Sequence, residues 1–171
     1  MLAPKLLGLK LCSRGCEGVI SEVEAYEGEN DPASHAFKRT KRSELMLSTY
    51  SHLYVYFIYG KNYCLNITCG ENRAGAILIR SVIPTKGIEL MRQKRSLHKK
   101  TGLEGISDGP GKLCQAFGVD KSYNGTKLGE KLWIEKESEV KLKDKFKVVA
   151  STRIGISKGE KRKWRFQLKE I

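Results

Sequence analysis

The pattern of apolar and polar positions predicts mostly strands. Successive side chains of a strand point to opposite faces, so a strand with one dry face alternates. Gly18 to Tyr26 reads this way: within SEVEAY, Ser21, Val23 and Ala25 make a small packing face, and Glu22, Glu24 and Tyr26 share the other. The run LYVYFIYGKNYCLNI predicts a hairpin of two strands, Leu53–Tyr59 and Tyr63–Cys69, around a Gly-Lys-Asn turn. Gly75–Pro84 is a further strand whose AILIRSVI run is buried on at least one face, and LWIE, FKVVAST and WRFQL predict three more with lysine-rich turns.

Helical signals are short. Ser43 is placed to cap a turn through Met46. Thr85 is placed to cap a helix reaching about Leu97, and Lys99–Ser107 reads as a loop. Asp108-Gly109-Pro110 opens another helix that Gly118 closes, with proline near the start and glycine just past the end. Together these predict one domain spanning the 171 residues, of mixed α/β (α+β) class: a curved, mainly antiparallel sheet with short helices and a protruding β-hairpin.

Charge changes the picture most. Lys and Arg number 32 against 19 Asp and Glu, a net +13, which attracts phosphate backbones or serves as a solubility surface. The basic residues follow no long amphipathic helix, and no apolar run reaches the ~18 residues of a membrane span, so no membrane partner is expected. The opening MLAPKLLGLKL lacks the long apolar region and cleavage site of a signal peptide. Five cysteines are an odd count, read as reduced thiols of a cytoplasmic protein, nucleoid-associated in a bacterium. Cys64 and Cys69 fall on opposite faces of their strand, against usual ligand geometry, so no metal or other cofactor is expected.

Several residues could carry chemistry. The Glu22–Glu24–Tyr26 face is either solvated or the wall of a site. Arg80 interrupts an apolar run, on a face shared with Leu78 and Val82, and needs a carboxylate partner. SEVEAY offers one, either as a structural salt bridge or as a pre-organised catalytic pair. Asn66, sharing its side with Cys64 and Thr68, could satisfy backbone groups or floor a pocket. The helix start in SDGPGKLCQAFG, with Lys112 beside it, suits a phosphate, although the spacing is not that of a Walker loop.

Taken in order, EVEAYEG, DPASH, LYVYFIYGKNYCLNI, ILIRSVIP and GPGKLCQAFG resemble the 3-methyladenine (alkyladenine) DNA glycosylase family over nearly the whole chain. The resemblance implies a monofunctional, metal-free base-excision repair enzyme. Such an enzyme flips alkylated purines out of double-stranded DNA and hydrolyses the N-glycosidic bond, leaving an abasic site. It implies that Glu24 is the general base for water and that Arg80 helps hold that water and a nearby phosphate. Tyr26, His35 and Tyr56 become walls of the base pocket, Asn66 a sensor of the purine's exocyclic group, and Leu78 a further lining residue. Tyr59 becomes the ring intercalated into the gap in the duplex, which explains an aromatic at a wet hairpin tip. Arg42, Met46 and Lys112 match positions that touch the DNA backbone or the opposite strand. The KRTKRSELM stretch departs from the family pattern, with Lys41 where a proline is common, and family members commonly carry a longer leading segment. A monomer is expected. The competing readings are a non-catalytic basic binder of damaged or distorted DNA, and a glycosylase-lyase using a lysine amine.

Overall fold

A computed structural model describes residues 1–58, 60–70, 74–136 and 146–171. The sheet is built on β2 (Cys16–Glu27), which pairs along one edge with β5 (Gly75–Lys86). Its other edge is divided. β1 (Lys10–Ser13) takes the stretch around Val19, and β8 (Arg165–Glu170) takes Glu22, Val23 and Glu24. Beyond β5 lie β4 (Asn62–Cys69) and then β3 (Tyr50–Ile58); β6 (Leu132–Glu135) pairs with β1, and β7 (Phe146–Ser151) with β8. Every pairing is antiparallel, giving the order β3-β4-β5-β2-β1-β6 with β8 and β7 branching from β2. The class is α+β with a curled antiparallel sheet, as the alternation predicts.

The β2–β5 ladder holds two compensating irregularities. Ile20 faces Val82, Glu22 faces Ser81 and Val23 faces Ile79, so Ser21 on one strand and Arg80 on the other have no opposite residue. Extra residues of this kind reverse which face the following side chains take. Ile20, Val23, Ile79 and Val82 therefore all enter the main core. Arg80 turns away from them toward Glu22 and Glu24. The expectation that Arg80 shares its face with Val82 is corrected by this bulge.

The main core covers one face of the sheet. Helix α3 (Pro110–Phe117) lies across β4 and β5 and contributes Leu113, Cys114, Ala116 and Phe117; α2 (Ile88–Lys94) adds Met91. Helix α3 begins and ends where the proline and glycine place it, with Gly118 left-handed at φ 70°. Two other helix starts differ. Lys86 is still in β5, and α2 begins after Gly87 and ends short of Leu97, so Thr85 caps nothing. Helix α1 (Glu44–Ser48) does follow Ser43, but Ser43 Oγ bonds back to the carbonyls of Lys38 and Thr40 and leaves the helix uncapped. The Lys99–Ser107 stretch contains a 3-10 turn at Leu103–Gly105.

On the opposite face of the sheet a small second cluster gathers Ala36, Met46, Tyr54 and Ala76. This is where the polar alternates of β2, β3 and β4 point. No described helix is long and apolar enough to cross a membrane.

Candidate active site

Glu24 is fully buried on this second face. Its Oε1 accepts the Ile154 N–H at 2.8 Å, and its Oε2 accepts the Tyr26 hydroxyl at 2.8 Å. Arg80 Nη1 lies 3.3 Å from the same Oε2, while Arg80 Nε donates to Glu22 Oε1 at 2.7 Å. Arg165 Nε reaches that Glu22 oxygen from β8 at 2.6 Å. The resulting row alternates in charge, so each group removed from water has an opposite partner. A carboxylate offers about four lone-pair positions. Oε2 has two partners, and the Ile154 N–H is the one described donor on Oε1.

Next to the carboxylate lies a cavity of about 110 Å³. Strand β2 supplies Tyr26, β3 supplies Tyr54 and Tyr56, and β4 supplies Asn66. These positions are neighbours because Tyr54 pairs with Asn66, and Asn66 in turn with Leu78. Asn66 is pinned by donating to the Tyr54 carbonyl at 3.0 Å. His35 closes one wall, its ring 4.6 Å from that of Tyr56 and steeply inclined to it. Met46, Ala76, Gly155 and Ile156 complete the lining with Ala33.

The pocket's titratable groups are held neutral. Burial pushes the His35 imidazole down to about 4, with the Arg42 charge adding to the effect. Burial raises the phenols of Tyr26 and Tyr56, with the Glu24 charge adding to it at Tyr26. The Cys64 thiol, opposite Tyr56 across the β3–β4 ladder, is pushed up to about 11 by burial. All five cysteines are free thiols. Among the described residues no group of three or more potential ligands could hold a metal ion.

The structure thus brings Glu24, Arg80, Tyr26, His35, Tyr56 and Asn66 together. Leu78 is buried between Glu24 and Asn66 in the strand register, yet the wall itself is formed by Ala76, two residues away. Met46 is 1% exposed and faces the cavity, because α1 packs its apolar side onto β3–β5. It lines the pocket. Arg42 is exposed, with its guanidinium 4.7 Å from the centre of the Tyr56 ring and its Nε 3.3 Å from the Tyr54 hydroxyl. Lys112 is exposed at the start of α3 and paired with Asp108 at 2.8 Å. Tyr59 lies outside the described residues; its neighbour Gly60 is exposed in the hairpin turn.

Four contributors escaped the sequence reading. Tyr54 alternates with Tyr56 and shared its signal. Asp31, in the DPASH stretch, reads as loop punctuation but forms a fully buried, two-pronged ion pair with Arg153 at 2.6 and 2.7 Å. Arg153 and Ile154 lie in the β7–β8 link, where no alternation marks them. Their only trace is the polar-apolar-glycine run RIG, which is not specific.

Comparisons with known proteins identify the family. The family model described as methylpurine-DNA glycosylase (MPG) matches residues 1–171. A protein of Desulfitobacterium hafniense, provisionally named a 3-methyladenine DNA glycosylase, is 40% identical over 99% of this chain and 85% of its own length. Similarly named proteins of Clostridium perfringens and Rhodopseudomonas palustris are 42% identical (99% of this chain, 90% of theirs) and 40% identical (98% and 81%). With the family model covering the whole chain and relatives of this identity covering nearly all of it, the protein belongs to the methylpurine-DNA glycosylase family and is a DNA glycosylase.

Proposed function

We propose that this enzyme excises 3-methyladenine and related alkylated purines from duplex DNA by direct hydrolysis, with Glu24 as general base. The observation that carries the reading is a buried carboxylate, oriented by the Ile154 N–H and by Arg80, that lies one hydrogen bond, through Tyr26, from the wall of an aromatic cavity. A water gives its proton to the carboxylate as its own oxygen attacks C1′. The C1′–N bond breaks and its electron pair leaves with the purine. A purine alkylated at N3 or N7 is cationic and departs neutral, so that step needs no acid. The anionic Glu22 and Glu24 favour the positive charge that develops on the sugar, and Arg80 keeps the two carboxylates from repelling each other apart.

The neutral walls suit the same substrate. Faces of Tyr26 and Tyr56 attract a cationic ring, and an uncharged His35 does not oppose it. Extrusion costs a few kcal/mol and less for a damaged base, while each stacked aromatic returns roughly 1–3 kcal/mol. The resemblance of its hairpin to that of the family assigns Tyr59 to the gap left in the duplex.

The test is single-turnover release of 3-methyladenine from methylated duplex DNA. Glu24→Gln keeps the volume and removes the base, and should slow release by roughly 10²–10⁴-fold. Release at the unaltered rate by this variant removes the mechanism. A wild-type protein that binds an abasic-analogue duplex tightly yet releases nothing would instead be a sensor of damaged DNA.

A further inference from the structure

Arg153 is 5% exposed and Asp31 fully buried, and neither belongs to the chemistry above. Their contacts converge on it. Arg153 Nη1 donates to Asp31 Oδ2 at 2.6 Å and to the Ala25 carbonyl at 3.0 Å, between Glu24 and Tyr26. The Ala25 N–H donates to the Trp164 carbonyl at 2.8 Å, so both backbone groups of Ala25 are held by the β7–β8 link. The guanidinium lies 4.6 Å from the centre of the Tyr26 ring and 5.3 Å from that of Trp164. Asp31 also accepts the N–H groups of Glu27 and Ala33, each at 3.2 Å, tying the end of β2 to the pocket rim. The residue after Arg153 donates its N–H to Glu24 Oε1.

Stability alone explains this pair poorly. Buried ion pairs are often matched or bettered by apolar residues of similar volume. Here Arg153 Nε is buried with no partner among the described residues, a cost that orientation of the fork toward Asp31 and Ala25 imposes. We propose that the Asp31–Arg153 pair is a positioning device. It clamps the 153–156 backbone to β2 so that the Ile154 N–H holds one Glu24 oxygen in place, with the Tyr26 ring fixed against the cavity. The inference rests on the reading of Glu24 as general base.

The experiment uses the double variant Asp31→Leu with Arg153→Met, which removes both charges together and leaves neither stranded. Three quantities are measured: thermal melting, single-turnover release of 3-methyladenine from methylated duplex DNA, and affinity for a duplex carrying a tetrahydrofuran abasic analogue. The expected result is a folded protein with full reaction amplitude, analogue affinity within about twofold of wild type, and release slowed roughly 10–100-fold, the scale of a small misplacement of reacting groups. A wild-type rate overturns the proposal. So does a reduced amplitude at unchanged rate, or a parallel loss of rate and affinity, since a purely structural pair behaves in those ways. Should the double variant not fold, Arg153→Lys takes its place. It keeps the charge but cannot span Asp31 and Ala25 as a fork, so its release must also slow, and a wild-type rate again overturns the proposal. Glu24→Gln is run beside them: full activity there defeats the mechanism itself, whereas an inert Glu24→Gln with fully active pair variants defeats only this inference.

Discussion

His35 shows how one side chain links the pocket to the stability of the fold. Its Nδ1 lies 2.8 Å from the Tyr54 hydroxyl, which also accepts from Arg42 Nε, and its ring packs edge-on to Tyr56. Burial first, and Arg42 second, hold its imidazole near 4, against 6.5 ordinarily. The folded state therefore resists a proton that the unfolded chain takes up readily. Stability from this residue is fully present above about pH 6.5 and is lost as pH falls from there toward about 4. After allowing for partial exposure, the loss is ~2 kcal/mol. Urea unfolding at pH 7 and pH 4.5 should show His35→Gln losing less stability than wild type over that interval; equal losses would place the His35 titration elsewhere. Residues of this kind are legible from sequence only when a motif names them. Glu24 and Tyr26 could be read together because strand alternation links them within three residues. The Asp31–Arg153 pair joins positions 122 apart, and no local pattern records such a contact.

At the scale of elements, the site depends on where strands start, shift and stop. The alternation in SEVEAY and the tyrosine hairpin identified β2, β3 and β4 and the face each offers, because both are one-residue rules. The bulges at Ser21 and Arg80 were illegible for a related reason: each strand alternates properly on either side of its own extra residue, and only the partner reveals the slip. Without them Val82 would share the face of Leu78 and Arg80, and Ile20 that of Glu22 and Glu24, so these two apolar residues could not enter the main core together with Val23 and Ile79. The β5–α2 junction was misread because Thr85 resembles a cap, while the turn is made by Gly87 at φ 74°. A Cβ at Gly87 would collide with the Gly15 carbonyl oxygen, where the β1–β2 turn abuts this junction. Gly87→Ala should therefore destabilise the protein by about 1–3 kcal/mol or more, from left-handed strain and the clash together. A lowered urea midpoint with unchanged slope is the expected signature; an unshifted midpoint would mean that the two turns separate freely.

For the whole molecule the net charge of +13 governs how DNA is met before any base is examined. Each phosphate neutralised releases counterions, so affinity for undamaged duplex should fall steeply as salt rises, while base release from saturated complexes should not. Lys112 and Asp108 allow the charge to be tested one contact at a time. They face each other across one turn at the start of α3, at 2.8 Å, with 46% and 45% of their side chains exposed. An exposed pair of this kind contributes little to stability, so Lys112 can exchange Asp108 for a phosphate at small cost. If it does, Lys112→Ala should weaken binding to lesion and undamaged duplexes alike and reduce the salt slope by about 0.9, the share of one phosphate. Asp108→Asn should act in the opposite direction, since it frees the ammonium and removes a nearby negative charge. Fluorescence anisotropy across a salt series measures both. Two variants that move affinity in the same direction, or leave the slope untouched, would place the start of α3 away from the DNA and leave phosphate contact to the other basic residues of the surface.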